Sequence, residues 1–314
     1  MTYIKPLNTF QLGQEATLGT ADTLDIQPAG LELTINPKVE VQQLNMTNGS
    51  TMPAKYSFVK RKWSEGSISG PLDYNRAMLW LDGMFAADDT SPHTYKADED
   101  AAQTPKSLTL AYGQTGLIYL VDGVVPKNLK ISGKSGEPWQ FSYEFFGKAA
   151  VDGASLEALD TDVPELVHGY ETALYMDEDL DATIGSTARA DVAFSFEAVI
   201  TAGRQPVWHM GDQEWDSVQQ CKWGGSFNLV LEADDTALDS LGDILDATDT
   251  GKGFTIRVQA TDGTNTLKLD FCGVATDPPT LLTDQDGIVT IELNLQPQWN
   301  SVYDSCWGAE LTIA

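Results

Sequence analysis

The segment KWSEGSIS, residues 62–69, returns in a related form as KWGGSF at residues 222–227. A short amphipathic helix pattern follows each copy, and its apolar positions lie 160 residues apart in the two copies. These positions are Met78, Leu81, Met84 and Phe85, matched by Leu238, Leu241, Ile244 and Leu245. A chain that contains one β-rich unit twice, with one helix in each, is typical of a building block and not of an enzyme with a single cleft.

The correspondence continues beyond the helix patterns at an offset of 150 residues. The alternating positions Trp139, Phe141, Tyr143 and Phe145 map onto Val289, Ile291, Leu293 and Leu295. The offset falls because the acidic loop from Asp88 to Lys106 has only a short counterpart after Asp246. We therefore predict a first domain at 1–150, a linker at 151–170 and a second domain at 171–314.

Short apolar stretches separated by turn residues recur along the chain, as in β-sandwiches and barrels. The stretches with strand patterns are 31–35, 39–46, 56–59, 107–112, 117–121, 129–131, 139–146, 174–176, 193–199, 227–231, 254–258, 266–271, 288–295 and 310–313. The predicted fold class is mainly β, with two tandem β-sandwich or barrel domains and one flanking short α-helix in each.

Acidic residues mark the predicted start of each helix, because a carboxylate accepts hydrogen bonds from the first backbone amides. Asp73 is the predicted cap of a helix from about Tyr74 to Ala87, and Asp234 or Asp235 that of a helix ending near Asp246. Glycines and prolines in residues 1–30 predict an irregular arm. Asn48-Gly49 is a tight-turn signal, and it predicts a long hairpin between two strands.

The net charge of −27 is distributed unevenly. Residues 1–150 contain 13 lysines and arginines against 16 acids, whereas residues 151–314 contain 6 against 30. This field repels nucleic acid and excludes binding through phosphate contacts over most of the surface. Two interpretations remain open: a solubility device, or a surface that nucleic acid must pass without binding.

No catalytic, cofactor or metal site is predicted. His93, His168 and His209 are isolated, and no nucleotide-binding or nucleophile motif occurs. The acidic run from Asp177 to Asp181 lacks the glycine and the distal glutamate of a calcium loop, since Ala182 and Ala188 occupy those positions. We therefore interpret this run as a solvated turn.

Three cysteines, Cys221, Cys272 and Cys306, all lie in the second half and share no metal-ligand spacing. Their odd number argues against a disulfide framework, so they are predicted to be small buried or half-buried side chains. No apolar run approaches the roughly 20 residues that span a bilayer. The N-terminus has no secretion signal, so we expect synthesis in a cytoplasm and no membrane partner.

Lys55, Lys60, Arg61 and Lys62 form the one basic cluster in the sequence. The cluster is either a solvated strand face or the positive side of a contact with an acidic surface on a second copy of the chain. We favour the contact, because the chain contains so few cations. These four residues are the candidate inter-subunit contacts.

Several segments together resemble the tail tube (major tail) proteins of long-tailed bacteriophages. The segments are Gln14 to Thr20, Trp63 to Ser69, Leu81 to Phe85, Ser107 to Leu110, Gly123-Val124, Trp139 to Glu144, Leu174 to Gly185 and Phe194 to Phe196. The similarity covers nearly the whole chain and rests on many features in order. The chain is similar to the duplicated, two-domain type of this family.

The resemblance implies a non-enzymatic structural protein of the virion tail, made in the host cytoplasm. It implies that β-sandwich units form rings, that the rings stack, and that inner strands join into a barrel around a DNA channel. A duplicated chain would form a trimer with pseudo-six-fold symmetry. The implied partners are other copies of the chain, the tape measure protein, the tail-tip and tail-terminator proteins, and double-stranded DNA that passes without specific binding.

Two other interpretations remain open. A two-domain β-sandwich binding module, such as a tail-fibre, adhesin or decoration protein, has the same fold class and would need an exposed aromatic patch at a loop tip. A carbohydrate-active enzyme would need two carboxylates in a cleft lined with aromatic side chains. The eight tryptophans are scattered over both halves, which favours core or interface positions over a sugar platform.

Overall fold

The computed structural model describes residues 8–44, 56–86, 90–98, 100, 103–114, 116–161, 163–189, 193–233, 253–277, 280–285 and 287–313. Strands dominate these residues, so the predicted mainly β class is confirmed. One α-helix, α1 (Tyr74–Met84), lies among them. The predicted second helix at 235–246 falls outside the described residues. No described helix is long and apolar enough to cross a membrane.

The first half of the chain forms a series of antiparallel strands, with α1 between the third and the fourth. They are β1 (Thr9–Gln14), β2 (Glu32–Leu44), β3 (Tyr56–Pro71), β4 (His93–Lys96), β5 (Leu108–Gln114), β6 (Leu117–Lys134), β7 (Gln140–Gly147) and β8 (Val151–Asp152).

The second half adds further strands after a single 3-10 turn at Gly169–Glu171. They are β9 (Thr172–Asp177), β10 (Ala188–Arg189), β11 (Ala193–Thr201), β12 (Arg204–Val207), β13 (Ser217–Gln220), β14 (Gly224–Glu232), β15 (Gly253–Thr261), β16 (Thr266–Ala275), β17 (Thr280–Gln285), β18 (Ile288–Pro297) and β19 (Trp307–Thr312).

One long antiparallel sheet runs through both halves, and we call it the shared sheet. Its strand order is β2-β3-β7-β6 in the first half, continued by β11-β14-β18-β17 in the second. Alternation along each strand gives this sheet one apolar and one polar face. In β7, for example, Phe141, Tyr143 and Phe145 are buried, whereas Gln140 and Glu144 are exposed.

A second layer of strands lies over the apolar face of the shared sheet. In the first half it is built from β1, β5, the N-terminal part of β6 and β8. In the second half it is built from β10, β9, β15, β16 and β19. The order of pairing is the same in both halves: β1–β5–β6 corresponds to β9–β15–β16, and β2–β3–β7 corresponds to β11–β14–β18.

The largest apolar cluster among the described residues joins the two halves. Trp80 of α1 stacks on Phe141, with ring centroids 4.8 Å apart. In the second half Phe227 stacks on Phe271 at 5.1 Å. The core extends across the join between the halves, where Trp139 meets Phe196 edge-to-face at 4.8 Å. The halves are therefore packed together and not separated by an open linker.

The start of α1 agrees with the prediction, because the Asp73 carboxylate accepts a 2.9 Å hydrogen bond from the Arg76 amide. The helix ends at Met84, short of the predicted end at Ala87, which falls outside the described residues. The predicted strands 31–35 and 39–46 are one strand, β2, and 117–121 and 129–131 belong to one long strand, β6.

Two segments predicted to be irregular contain strands. The arm predicted at 1–30 contains β1, which pairs along its whole length with β5. The loop predicted from Asp88 to Lys106 contains β4, which pairs with β19 of the second half. The sequence prediction was wrong for both segments because β1 and β4 are short, and their pairing partners lie far away in the chain.

The segment predicted as a linker lies against the first half. Val167 is completely buried, and its backbone forms hydrogen bonds with Leu72 and Trp139. Leu166 and His168 form isolated bridges with Asp73 and Pro138. This pairing fixes the position at which the chain enters the second half.

Candidate assembly surfaces

The two halves meet along a strand-to-strand joint between β6 and β11. Residues Asn128–Lys134 pair with residues Ser195–Thr201 in continuous antiparallel register. Apolar side chains from both strands point into the common core on one side of this joint, as alternation requires. Because backbone hydrogen bonds join the halves, they form one continuous sheet.

A buried arginine ties the second half to the end of α1. The guanidinium of Arg204, which is 3% exposed, donates to the carbonyl oxygens of Gly83 at 2.5 Å and Met84 at 2.7 Å. These carbonyls belong to the last turn of the helix. The carbonyl oxygens of a last turn have no amide donor within the helix, and they attract positive charge. Burial lowers the pKa of Arg204 to about 10, which leaves it protonated at neutral pH.

The connection between β11 and β14, residues 202–223, folds back over the first half. Trp215 of this connection is 1% exposed and packs edge-to-face on Phe146, with centroids 5.5 Å apart. Val125 completes the same apolar cluster. Gly123 lies directly under the Trp215 ring, where a β-carbon would come within 2.9 Å of the indole. The close approach therefore requires glycine at this position.

The same connection contacts the base of the β2–β3 hairpin. Trp208 lies edge-to-face on Trp63 at 6.0 Å, and the Arg61 guanidinium lies 4.6 Å from the Trp208 ring centroid. The Lys62 amide donates to the Gln213 carbonyl oxygen at 2.8 Å. The base of the β2–β3 hairpin and the connection between β11 and β14 are thus in contact within one chain.

A second joint forms where β4 pairs with β19. Residues His93–Lys96 of the first half lie beside Gly308–Leu311 of the second. The Lys96 ammonium donates to the Tyr303 carbonyl oxygen at 2.8 Å, and the Ser305 hydroxyl donates to the Ala97 carbonyl oxygen at 2.9 Å. The halves are therefore joined through both layers of strands.

Each end of the shared sheet has an edge strand with one partner. At one end β2 pairs with β3, and at the other end β17 pairs with β18; neither has a second partner among the described residues. In the pairing order, β2 has the position in the first half that β11 has in the second. Likewise, β17 lies beside β18 in the second half, as the C-terminal part of β6 lies beside β7 in the first. The two open edges thus correspond to the two strands that are already joined inside the chain.

The β2–β3 hairpin extends beyond the shared sheet as a two-stranded ribbon, because β7 pairs only with Ser64–Pro71 of β3. Four large apolar side chains on this ribbon are exposed: Val39 by 55%, Val41 by 52%, Tyr56 by 58% and Phe58 by 47%. Isolated two-stranded ribbons are marginally stable, and exposed apolar patches mark interaction surfaces.

The predicted basic cluster lies on this ribbon. The Lys60 ammonium is 2.9 Å from a Glu40 carboxylate oxygen, and the Arg61 guanidinium is 4.0 Å from the other oxygen. Lys60, Arg61 and Glu40 are each exposed by more than two fifths. Lys62 lies beside them on β3, and Lys55 falls outside the described residues. The structure thus brings three of the four predicted residues together on one strand.

A buried carboxylate fixes the N-terminal arm. Glu15 is 3% exposed and accepts hydrogen bonds from the amides of Gly19 and Gly123 and from the hydroxyls of Thr109 and Ser107. These four donors compensate the cost of burying the charge. The Gln14 to Thr20 segment is therefore held by its own half of the chain.

Two of the isolated histidines and the acidic run at Asp177 contact neighbouring side chains. His168 stacks on Tyr170 at 4.9 Å, and the His209 ring lies 2.6 Å from a carboxylate oxygen of Asp216. Asp177 accepts hydrogen bonds from the hydroxyls of Ser186 and Thr187. Across the residues that the structure describes, no group of three or more His, Cys, Asp or Glu side chains is arranged to hold a metal ion.

The three cysteines are unpaired and differ in exposure. Cys272 is buried, and burial raises the pKa of its thiol to about 12. Cys306 is half-buried, as predicted. Cys221 is exposed, so the prediction was wrong for this residue.

A cleft of about 480 Å³ lies where the two halves meet. Its lining includes Lys134, Trp139, Tyr170, Arg189 and Phe196. Arg189 forms a 2.9 Å ion pair with Glu178. Among the described residues, this lining contains no pair of carboxylates and no activated nucleophile, which does not support the carbohydrate-active alternative.

The mainly β structure is consistent with the result of a comparison with protein families. A family described as phage tail tube protein matches residues 7–297. The chain belongs to the phage tail tube protein family. It is therefore a structural component of the virion tail. No curated protein matches the chain.

Sequence reasoning did not identify Arg204 or Trp215 as contacts between the halves of this tail tube family member. A partial signal was present, because Trp208, Trp215 and Trp223 cluster in the connection that corresponds to the exposed β2–β3 hairpin. Three tryptophans in a strand connection indicate that the connection packs on another surface. The sequence alone does not indicate which surface it covers.

Proposed function

We propose that three copies of this chain close into a ring with pseudo-six-fold symmetry, and that the rings stack into the tail tube through which DNA is ejected. The observation that carries this proposal is the β6–β11 joint, which links two similar halves edge to edge. A head-to-tail contact of the same kind between chains closes into a ring when the rotation per step is suitable.

The matching strand pairings support an internal duplication. Both halves have the ladder order described above, and within the shared sheet they meet at the β6–β11 joint. If each half is one tube-type unit, three chains supply six units. The proposed domains remain 1–150 and 171–314, with 151–170 connecting them.

The two open edges supply the contact between chains. In the proposed ring, β17 of one chain pairs with β2 of the next, in the way that β6 pairs with β11 inside each chain. Closure removes both edges, which otherwise attract unwanted strands. The alternative of a two-domain binding module leaves these edges unexplained.

The ribbon and its basic cluster are the proposed contacts with neighbouring rings or subunits. Lys60, Arg61 and Lys62 on β3, together with Lys55, which lies outside the described residues, supply the positive side of this contact. The negative side is the surface of a neighbouring chain, whose acids outnumber its cations most strongly in the second half. The arm from Leu7 to Ile26 contributes through its outer side, since Glu15 anchors it inside its own half.

The further partners proposed for the tube are those at its ends and inside it. They are the tape measure protein, the tail-tip and tail-terminator proteins, and double-stranded DNA. The protein carries no cofactor in this proposal, catalyses no reaction, has no membrane partner and is made in the host cytoplasm.

Proline substitution at the β2 edge tests ring closure. Pro37 is already part of β2, and a proline is tolerated in a strand where its nitrogen faces the open edge. Leu33 lies four residues away, so its amide faces the same edge. Leu33→Pro should prevent ring formation, whereas Leu33→Ala, which keeps the amide, should form rings. Assembly is measured by sedimentation velocity, with circular dichroism to show that both variants fold. Equal assembly of the two variants would contradict pairing through β2.

A further inference from the structure

The polar face of the shared sheet carries mainly uncharged polar and carboxylate side chains, with Val199, Val230 and a few lysines among them. On this face, serine, threonine, asparagine and glutamine alternate with the buried apolar positions. The uncharged residues include Thr34, Ser67, Ser69, Asn128, Ser132, Gln140, Ser142, Ser195, Thr201, Ser226, Asn228, Asn294 and Gln296. Such a surface offers hydrogen bonds but little apolar contact.

Six glutamates lie on this face among the described residues: Glu32, Glu65, Glu144, Glu197, Glu232 and Glu292. The last three belong to the second half, which has 30 acids in residues 151–314. Most of the described acids of the second half therefore lie on other surfaces.

The lysines of this face are concentrated on one strand. Lys127, Lys130 and Lys134 all belong to β6, the strand at the joint between the halves. The edge strand β17, which lies beside β18 as β6 lies beside β7, has the sequence TLLTDQ and contains no lysine. Lys38 of β2 is in step with Thr34 on the same face, and its charge also acts on Glu65.

Each of the three β6 lysines has a carboxylate partner. Lys127 lies 3.0 Å from Glu65 of β3, and Lys130 lies 2.7 Å from Glu197 of β11 across the joint. Lys134 lies 4.0 Å from Glu137 in the following turn. The side chains in the first two pairs are 38% to 45% exposed, so the pairs contribute little to stability.

The electrostatics at Glu65 favour the paired state. Partial burial alone would raise the pKa of Glu65, but hydrogen bonds from Lys127 and Trp63 and the charges of Lys127 and Lys38 lower it. The carboxylate is therefore ionised at neutral pH and remains available to Lys127.

We infer that the polar face of the shared sheet is the surface past which duplex DNA slides, and that Glu65 and Glu197 keep Lys127 and Lys130 from binding its phosphates. This inference rests on the proposed function, because it requires the shared sheet to line the channel. DNA presents a negative charge about every 1.7 Å, and a lysine that neutralises a phosphate releases counterions and binds. A lysine already paired with a carboxylate gains less from that exchange.

The test removes the carboxylates and keeps the lysines. Tubes assembled from the double variant Glu65→Gln, Glu197→Gln are incubated with a fluorescent 20-base-pair duplex, washed and measured for retained DNA. Two lysine–phosphate contacts for each bound duplex should produce retention that falls about tenfold between 50 and 200 mM salt, and more contacts should make the fall steeper. Wild-type tubes should retain none above background. The same duplex is titrated against the free chains by fluorescence anisotropy, so that the lysines are also tested without assembly.

Two controls isolate the position of the charge. Glu310→Gln removes the carboxylate that lies 2.6 Å from the Lys268 ammonium in the second layer of strands. This variant should leave the tubes free of DNA. Adding Lys127→Ala and Lys130→Ala to the double variant should abolish retention. Equal retention by Glu310→Gln, or no increase with the double variant in tubes and in free chains, would overturn the inference. Failure of the wild-type chain to form tubes would instead contradict the proposed function, and that result is seen before DNA is added.

Discussion

The two halves of the chain differ in the connection between two corresponding strands. The connection between β11 and β14 turns back and buries Trp215 against the first half. The corresponding β2–β3 hairpin extends outward as a ribbon, and apolar side chains such as Tyr56 and Phe58 stay exposed on it. One connection is satisfied inside the chain, and the other presents a surface that a single chain leaves uncovered.

This difference separates residues that hold one chain together from residues that hold chains to each other. Changes in the connection 202–223 should lower the stability of the isolated chain. Changes in the ribbon should alter that stability only slightly, through its contacts with Trp208 and Gln213 at the base, and should mainly affect assembly. The following predictions test this separation, beginning with the largest expected effect.

Reversing the charge of the ribbon should abolish tube formation. In the triple variant Lys60→Glu, Arg61→Glu, Lys62→Glu, three cations become anions beside Glu40, in a chain that is already strongly acidic. Repulsion between copies should prevent polymerisation, while the melting temperature of the free chain falls only slightly. Within the chain the variant loses only half-exposed ion pairs with Glu40 and the contact of Arg61 with Trp208. Electron microscopy and thermal unfolding measure the two effects.

The neutral variant Lys60→Gln, Arg61→Gln, Lys62→Gln is the matched control for this reversal. It removes the attraction without adding repulsion, so it should give fewer or shorter tubes and not a complete loss. Tubes of normal length from the glutamate variant would show that the cluster is a solvated strand face.

Removing the indole of Trp215 should destabilise the isolated chain by about 3–5 kcal/mol, the usual cost of truncating a buried aromatic side chain. The loss arises because Phe146 and Val125 then line a cavity. Chemical denaturation of Trp215→Ala measures it. Trp208→Ala is the comparison, since Trp208 is only half-buried and should cost clearly less. Equal effects at both positions would mean that burial of Trp215 does not fix this connection.

Replacing Arg204 should have a smaller effect of the same kind. Arg204→Met leaves the carbonyl oxygens of Gly83 and Met84 without their buried donor, which costs about 1–3 kcal/mol. Arg204→Lys keeps the charge but loses the fork that reaches both oxygens, so it should fall between wild type and Arg204→Met. Thermal unfolding ranks the three proteins. A methionine variant as stable as wild type would show that Arg204 is not needed to join the halves.

Local patterns in the sequence predicted much of the fold. The alternation of Trp139 to Phe146 predicted β7, and the carboxylate of Asp73 predicted the start of α1. Both features depend on neighbours within a few residues, so their physical causes are visible in the sequence itself. The basic cluster was likewise visible, because its members are adjacent in the chain.

Contacts between distant segments could not be predicted in the same way. The pairings of β1 with β5 and β4 with β19 depend on partners about 100 and 200 residues away. Arg204 finds the end of α1 only after the two halves pack together. A strand pattern shows that an edge needs a partner, but the identity of the partner depends on the tertiary structure.

The central claim is that the joint inside the chain is repeated between chains, and electron microscopy of the purified protein at rising concentration tests it most directly. The account predicts hollow rings of three chains, each showing six similar sectors, that stack into tubes as the concentration rises. Single particles that remain monomeric at every concentration, including with tail-tip proteins added as a nucleus, would contradict it.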